Sequence, residues 1–182
     1  MILKIKDSVK GIFILSPYII EPNKEDMMRK RIDEYIEICK KLAEKENLPA
    51  VIRSFIVEHH GAGKAKYFYN TYRNAHPDEE IDDSLFTYPG PNPQTKETSI
   101  LMMADAVEAA SRSLTDHSAE SIANLVNRLI DSQIADGLHD DSQLSFKDVK
   151  EIKESFIARL RTIYHSRVAY PNAVKKGQSE KA

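Results

Sequence analysis

The segment from Thr95 to Leu114 constrains this chain more than any other. It is apolar on nearly every side: Ile100, Met103, Val107 and Ala110 fall on one face at helical spacing, and Leu101, Met102 and Ala109 on another. A helix without a broad polar face is at home only in an interior, so this one is expected at the centre of a helical bundle. One acidic residue interrupts it. Asp105 shares a stripe with Leu101, Met102, Glu108, Ala109 and Arg112, the positions three, four and seven residues away. An ionised carboxylate taken out of water needs compensation, either a metal cation or an ion pair with a distant Lys or Arg. Glu108 and Arg112, four residues apart, are expected to pair with each other.

The rest of the chain reads as further helices. Asn23 suits an N-cap for a helix to about Glu46, with Ile32, Ile36, Cys39 and Leu42 at helical spacing and Asn47 closing it. Pro49 suits the first turn of a second helix, which carries Val51, Ile52, Phe55 and Ile56 and stops near His60 at Gly61. A third helix is expected over Lys64–Ala75. The stretch His76–Pro93 has four prolines and reads as a long loop. Its core, Tyr88-Pro89-Gly90-Pro91-Asn92-Pro93, is too stiff for helix or central strand and is suited to walling a pocket. Ser118 opens a fifth helix ending at Gly137, and Ser145 with Asp148 opens a sixth, to about His165, in the manner of a capping box. Only Ile2–Ile20 suggests a short hairpin. The fold class is therefore all-α.

Bulk properties narrow the function. The 182 residues suffice for one domain, and 41% hydrophobic with 30% charged residues is an ordinary globular balance. A net charge of -2 supplies no basic field for a nucleic-acid polymer. Cys39 is the only cysteine, which excludes an internal disulfide and a cysteine-rich zinc cluster and fits a reducing compartment. The start lacks the layout of a signal peptide, and the apolar run Gly11–Ile20 is about half of the roughly 20 residues a membrane span needs. Asn172–Ala182 is polar and is expected to be disordered.

Chemistry concentrates in His59-His60-Gly61 and Asp105. Successive helical side chains point about 100° apart, so adjacent histidines serve one site only near a helix end, where Gly61 places them. Neutral imidazole and carboxylate suit Fe, Mn or Zn. The alternative for the pair is one capping and one core histidine. His76, His117 and His139 lie in polar loop contexts and are expected to be solvated. Lys64, Lys66, Lys96 and Arg112 are available to a phosphate near a metal, although an ordinary solvated face is the better explanation of each one taken singly. The tyrosines Tyr67, Tyr69 and Tyr72 suit core and rim. Gly61-Ala62-Gly63-Lys64 lacks the spacing and the preceding strand of a phosphate-binding loop, and there is no nucleophile elbow.

From about Leu48 to Pro171 the chain resembles the C-terminal half of the HD phosphohydrolase domain of the seven-transmembrane HD-domain proteins, a bacterial membrane family that includes cyclic di-AMP phosphodiesterases. The likeness rests on Glu58-His59-His60-Gly61, Lys66-Tyr67-Phe68-Tyr69, the stretch from Tyr88 through Glu97, Ala104 through Arg112, and Ile163 through Arg167. It implies an HD-like helical bundle over 23–171, preceded by a poorly matched segment 1–22 and followed by the tail 172–182. It also implies a cytoplasmic domain with a two-metal centre that acts on a cyclic dinucleotide. By this resemblance His59, His60 and Asp105 are metal ligands, with Lys96, Arg112 and Lys64 against the substrate. Two family features are missing. No His-Asp pair precedes His59, and Tyr35 stands 24 residues before it, where another histidine belongs. Asp26 or Asp33 would be the substitutes for the bridging carboxylate, but both suit a solvated helix face. The chain therefore resembles a partial or degenerate HD domain, expected to be inactive alone, with a non-catalytic module that binds a nucleotide or a protein as the alternative.

Overall fold

The computed structural model describes residues 36–165. The expected hairpin over Ile2–Ile20, the Asn23 cap, Tyr35 and the tail fall outside them. The first helix, α1, is described over 36–45. Asn47 ends it with a positive φ of 50°. Leu48 N–H reaches back to Ala43 O at 2.9 Å and Asn47 N–H to Glu44 O at 3.0 Å. That bond pair uses up the last carbonyls of the helix, and Asn tolerates the left-handed turn it requires. Pro49 is extended (φ -51°, ψ 147°) and serves as the N-cap of α2, Ala50–Glu58. The proline thus stands one step ahead of the first turn expected for it. Helix α2 stops at Glu58, before the histidines, and α3 runs Lys66–Ala75.

The proline-rich stretch is a loop, as expected, with one 3-10 turn at Asp83–Phe86 and a cis Gly90–Pro91 bond. Asp82 caps that turn by accepting Ser84 N–H, and Phe86 is fully buried beside the rings of Tyr69 and Tyr72. An isolated bridge joins Lys64 to Thr87. It holds Lys64 out of α3, which explains why that helix begins later than its sequence suggests. No strand occurs among the described residues.

Three longer helices follow. Helix α4, Lys96–Ser111, opens with a capping box between Thr95 and Thr98. Helix α5, Ala119–Ala135, opens at Ser118 and closes past Gly137 (φ 70°), where Leu138 N–H bonds Gln133 O and Gly137 N–H bonds Ile134 O. Helix α6, Phe146–His165, starts with Ser145 and Asp148 bonded reciprocally: Asp148 N–H donates to Ser145 Oγ at 3.1 Å and Ser145 N–H to Asp148 Oδ2 at 2.8 Å. The core is the seam between these three: Met103 and Val107 of α4, Ile122, Val126 and Ile130 of α5, Ile152 and Leu160 of α6. Tyr164 O–H closes its far end on Ser111 O at 2.8 Å.

Helix α4 touches α2, α5 and α6, so its central place holds. Burial all round does not. Its Met103–Val107 side enters the core and Met102 is buried beneath Gly61 and Gly63, but Ile100 and Leu101 are each 38% exposed. The stripe Leu101–Asp105–Glu108–Arg112 lies open; among the described residues the helices that pack most on α4 are α2, α5 and α6. Apolar composition identified a helix inside the bundle and overstated how much of it is enclosed. His139 departs in the opposite sense: it is buried, with Nε2 3.1 Å from Gln133 Oε1, because the turn after α5 folds inward behind Leu138. No helix among the described residues is long and apolar enough to cross a membrane.

Candidate metal centre

Because α2 ends at Glu58, His59 and His60 sit on a turn and not on a helix face. His59 is the C-cap, and the chain reverses at Gly61, where φ is 54°. A Cβ added at Gly61 would stand 2.8 Å from Asn92 Oδ1, so the position requires glycine for its backbone angle and for its space. The turn brings the two imidazoles together, with ring centroids 4.0 Å apart.

The rings are held differently. His59 Nδ1 lies 3.0 Å from Phe55 O and from Ile56 O. Both partners are carbonyls and only accept, so Nδ1 carries the proton and the Nε2 lone pair of the neutral ring points elsewhere. This is the arrangement by which a backbone carbonyl orients a metal-binding histidine. His60 is stacked on Tyr88 at 4.3 Å with planes 16° apart. Burial, with the neighbouring His59 charge, pushes the His60 pKa down to about 3, so its ring is neutral at physiological pH. Burial and the negative charge of Asp105 push the Tyr88 phenol up to about 12.

Asp105 faces this turn from α4. Desolvation raises its carboxyl above the usual range, and His59 acts in the opposite direction. It is an exposed residue, so the carboxylate that the apolar helix was expected to take out of water is only partly desolvated. The structure gathers His59, His60, Tyr88 and Asp105 into one electrostatic neighbourhood under the proline-rich loop. Among the described residues no group of three or more His, Cys, Asp or Glu side chains is close enough to hold a metal ion. The donor types fit a divalent cation: one imidazole oriented through Nδ1, one neutral imidazole, and a carboxylate short of positive charge. Their spacing leaves the set open.

The four cations named from sequence are each engaged with a carboxylate, Lys66 with Asp136 at 3.0 Å. Lys64 Nζ lies 2.6 Å from Asp83 and over the Tyr69 ring, and Lys96 Nζ lies 2.7 Å from Asp148, holding that carboxyl well below the usual carboxylate range. Arg112 grips Glu108 through two bonds of 2.8 and 2.6 Å, the pairing expected from their spacing. Three residues also belong here, Tyr88 and Asn92, read from sequence only as part of a pocket-walling loop, and Glu58, read only as part of the family motif. Tyr88 stacks on His60, Asn92 Oδ1 accepts Ala62 N–H at 2.8 Å, and buried Glu58 accepts Gln94 N–H at 2.9 Å. Their partners lie some thirty residues away, so local periodicity carries no trace of them; the glycine at 61 is the one local sign of a close approach.

No family model matches the sequence. The helical bundle with the histidine turn set against α4 is an HD-type domain, and the comparisons with known proteins agree. The chain is 40% identical over 119 residues to the cyclic-di-AMP phosphodiesterase PgpH of Bacillus subtilis, covering 65% of this chain and 16% of that protein. It is 36% identical over 129 residues to PgpH of Listeria monocytogenes, covering 70% of this chain and 18% of that protein. The crystal structure of the L. monocytogenes PgpH HD domain in complex with cyclic-di-AMP superposes with a TM-score of 0.69 at 29% identity, covering 77% of this chain and 64% of that one. The chain is homologous to the HD domain of the PgpH phosphodiesterases. It spans less than a fifth of the length of these two curated relatives.

Proposed function

We propose that this chain is a partial HD-type phosphohydrolase domain of the cytoplasm that binds a divalent metal and a cyclic dinucleotide, and that by itself it hydrolyses little or nothing. The observation that carries the metal reading is the His59–His60 turn, with one ring fixed through Nδ1 and coupled to the carboxylate of Asp105 and the other held neutral. His59, His60 and Asp105 would hold the cation, and Fe or Mn suits the set. A bound cation of this kind supplies Lewis acidity to a phosphoryl group. The residues of the chain orient it: Phe55 O and Ile56 O fix the His59 ring, and Tyr88 fixes the plane of His60. The ligand reading leans on the PgpH structure with cyclic-di-AMP. Lys64, Lys96 and Arg112 are the proposed phosphate contacts, and each would exchange its present carboxylate for the ligand.

The proposed inactivity follows from the ligand set. A two-metal centre needs a bridging carboxylate and enough donors to retain both ions. This chain has no His-Asp pair before His59 and has tyrosine at position 35. Two assays test the reading: elemental analysis of the purified chain, and cyclic di-AMP hydrolysis in excess Mn²⁺. At most one loosely held metal is expected, with turnover near background. Two tightly held metals with steady turnover that His60→Ala abolishes would overturn the inactive-domain reading and restore a complete enzyme. A domain that binds the dinucleotide without metal would instead support the non-catalytic module.

A further inference from the structure

The histidine turn is fastened at both ends to the same short stretch of chain. Glu58, the residue before His59, accepts Gln94 N–H at 2.9 Å. Ala62, the second residue after His60, donates its N–H to Asn92 Oδ1 at 2.8 Å. Asn92 and Gln94 lie immediately ahead of Thr95, the N-cap of the helix that carries Asp105. The two bonds therefore span the gap between the His59–His60 turn and the Asp105 helix, one on each side of the pair.

Glu58 is costly where it stands. It is 7% exposed, and it is the last residue of α2, where the aligned peptide dipoles present negative charge. Its side chain accepts one neutral amide among the described residues. The bond ties the end of α2 to the residue before the N-cap of α4, so this side chain holds two elements in register.

We propose that Glu58 and Asn92 are positioning residues that clamp the His59–His60 turn to the start of the Asp105 helix and so hold in register the two elements that carry the proposed metal-binding side chains. The clamp rests on the metal reading proposed above. Neither residue touches the cation. Each acts through the backbone: Glu58 fixes where His59 begins, and Asn92 fixes where the turn leaves His60. Gly61 lets Asn92 approach this closely, since any Cβ there would meet its Oδ1.

Cobalt titration of the chain, followed by visible absorption and calorimetry, tests the clamp without reference to turnover. Wild type, Glu58→Leu, Glu58→Gln, Asn92→Ala and His60→Ala are compared, with circular dichroism and unfolding midpoints taken on the cobalt-free proteins. Glu58→Leu and Asn92→Ala are expected to fold and to bind Co²⁺ at least tenfold more weakly, with an altered absorption spectrum. Glu58→Gln keeps an oxygen to accept Gln94 N–H and is expected to recover affinity to within threefold of wild type. If His60→Ala abolishes binding while Glu58→Leu and Asn92→Ala match wild type in affinity and spectrum, the metal reading stands and the clamp is wrong. Glu58→Gln binding as weakly as Glu58→Leu also overturns it, since charge and not position would then matter. If wild type binds no cobalt, or His60→Ala binds it unchanged, the metal reading fails and takes the clamp with it. Should Glu58→Leu fail to fold, Asn92→Ala decides by the same criteria, because it removes a single hydrogen bond far from the α4–α6 core.

Discussion

Two opposing influences meet at Asp105. Partial desolvation raises its carboxyl pKa, and nearby His59 pulls it down. A carboxylate whose folded pKa exceeds its unfolded one loses stability as pH rises through that interval, so at neutral pH the ionised group strains the metal-free fold. Asp105→Asn is therefore expected to raise the urea midpoint of the metal-free chain at pH 7 and to abolish stabilisation by added Mn²⁺; a lower midpoint would show that the carboxylate serves the fold. His60 has the opposite linkage. It titrates near 3 in the folded chain against 6.5 unfolded, so the unfolded state takes up the proton first. Its contribution is intact above pH 6.5 and is lost as pH falls toward 3. Buried His139 is shifted in the same direction and adds to that decline. His60→Leu is expected to flatten the fall in melting temperature below pH 6.5, while Asp116, held down to about 2 by Ser121 and Ser118, keeps acting at lower pH. An unchanged acid profile in His60→Leu would mean that the ring is not buried as described.

Among the elements, α4 carries the most consequence, since it joins the core to the site. Its two sides make a contrast that mutation can read. Met103 is fully buried against α5 and α6, and Met103→Ala is expected to cost about 2–5 kcal/mol in denaturant unfolding. Leu101 lies on the open stripe, and Leu101→Ala should cost under about 1 kcal/mol. Equal losses would mean that something covers the Leu101 side in solution. The helix ends were legible from short-range chemistry: Thr95, Ser118 and the Ser145–Asp148 pair all cap as their residue types dictate, and Asn47 and Gly137 both take the left-handed stop. The histidine turn was legible in part, because Gly61 marks a reversal whatever surrounds it. The openness of α4 at Asp105 and the burial of His139 were not. Composition reports what a segment can bury, whereas actual burial depends on which neighbours arrive, and those come from distant parts of the chain. The contacts of Glu58 and Asn92 were not legible for the same reason, each meeting a partner thirty or more residues away.

At the scale of the molecule, the core sits apart from the histidine turn, and α4 reaches both. The seven residues of the core cluster all lie on α4, α5 and α6, and α2 and α3 contribute none to it. In α2 only Glu58 is buried, and Val51 is 60% exposed. Such a division sets how the chain opens. Backbone amides of α5 and α6 are expected to exchange with deuterium only through near-global unfolding, while those of α2 and α3 exchange through a cheaper local opening. Native-state exchange in low denaturant should separate the two sets, and a single slow class throughout would show that the histidine segment is locked to the core. Two tiers would let the histidine turn open or change by mutation while the three-helix remainder keeps its shape, so that in a chain divided in this way the candidate site is freer to vary than the fold.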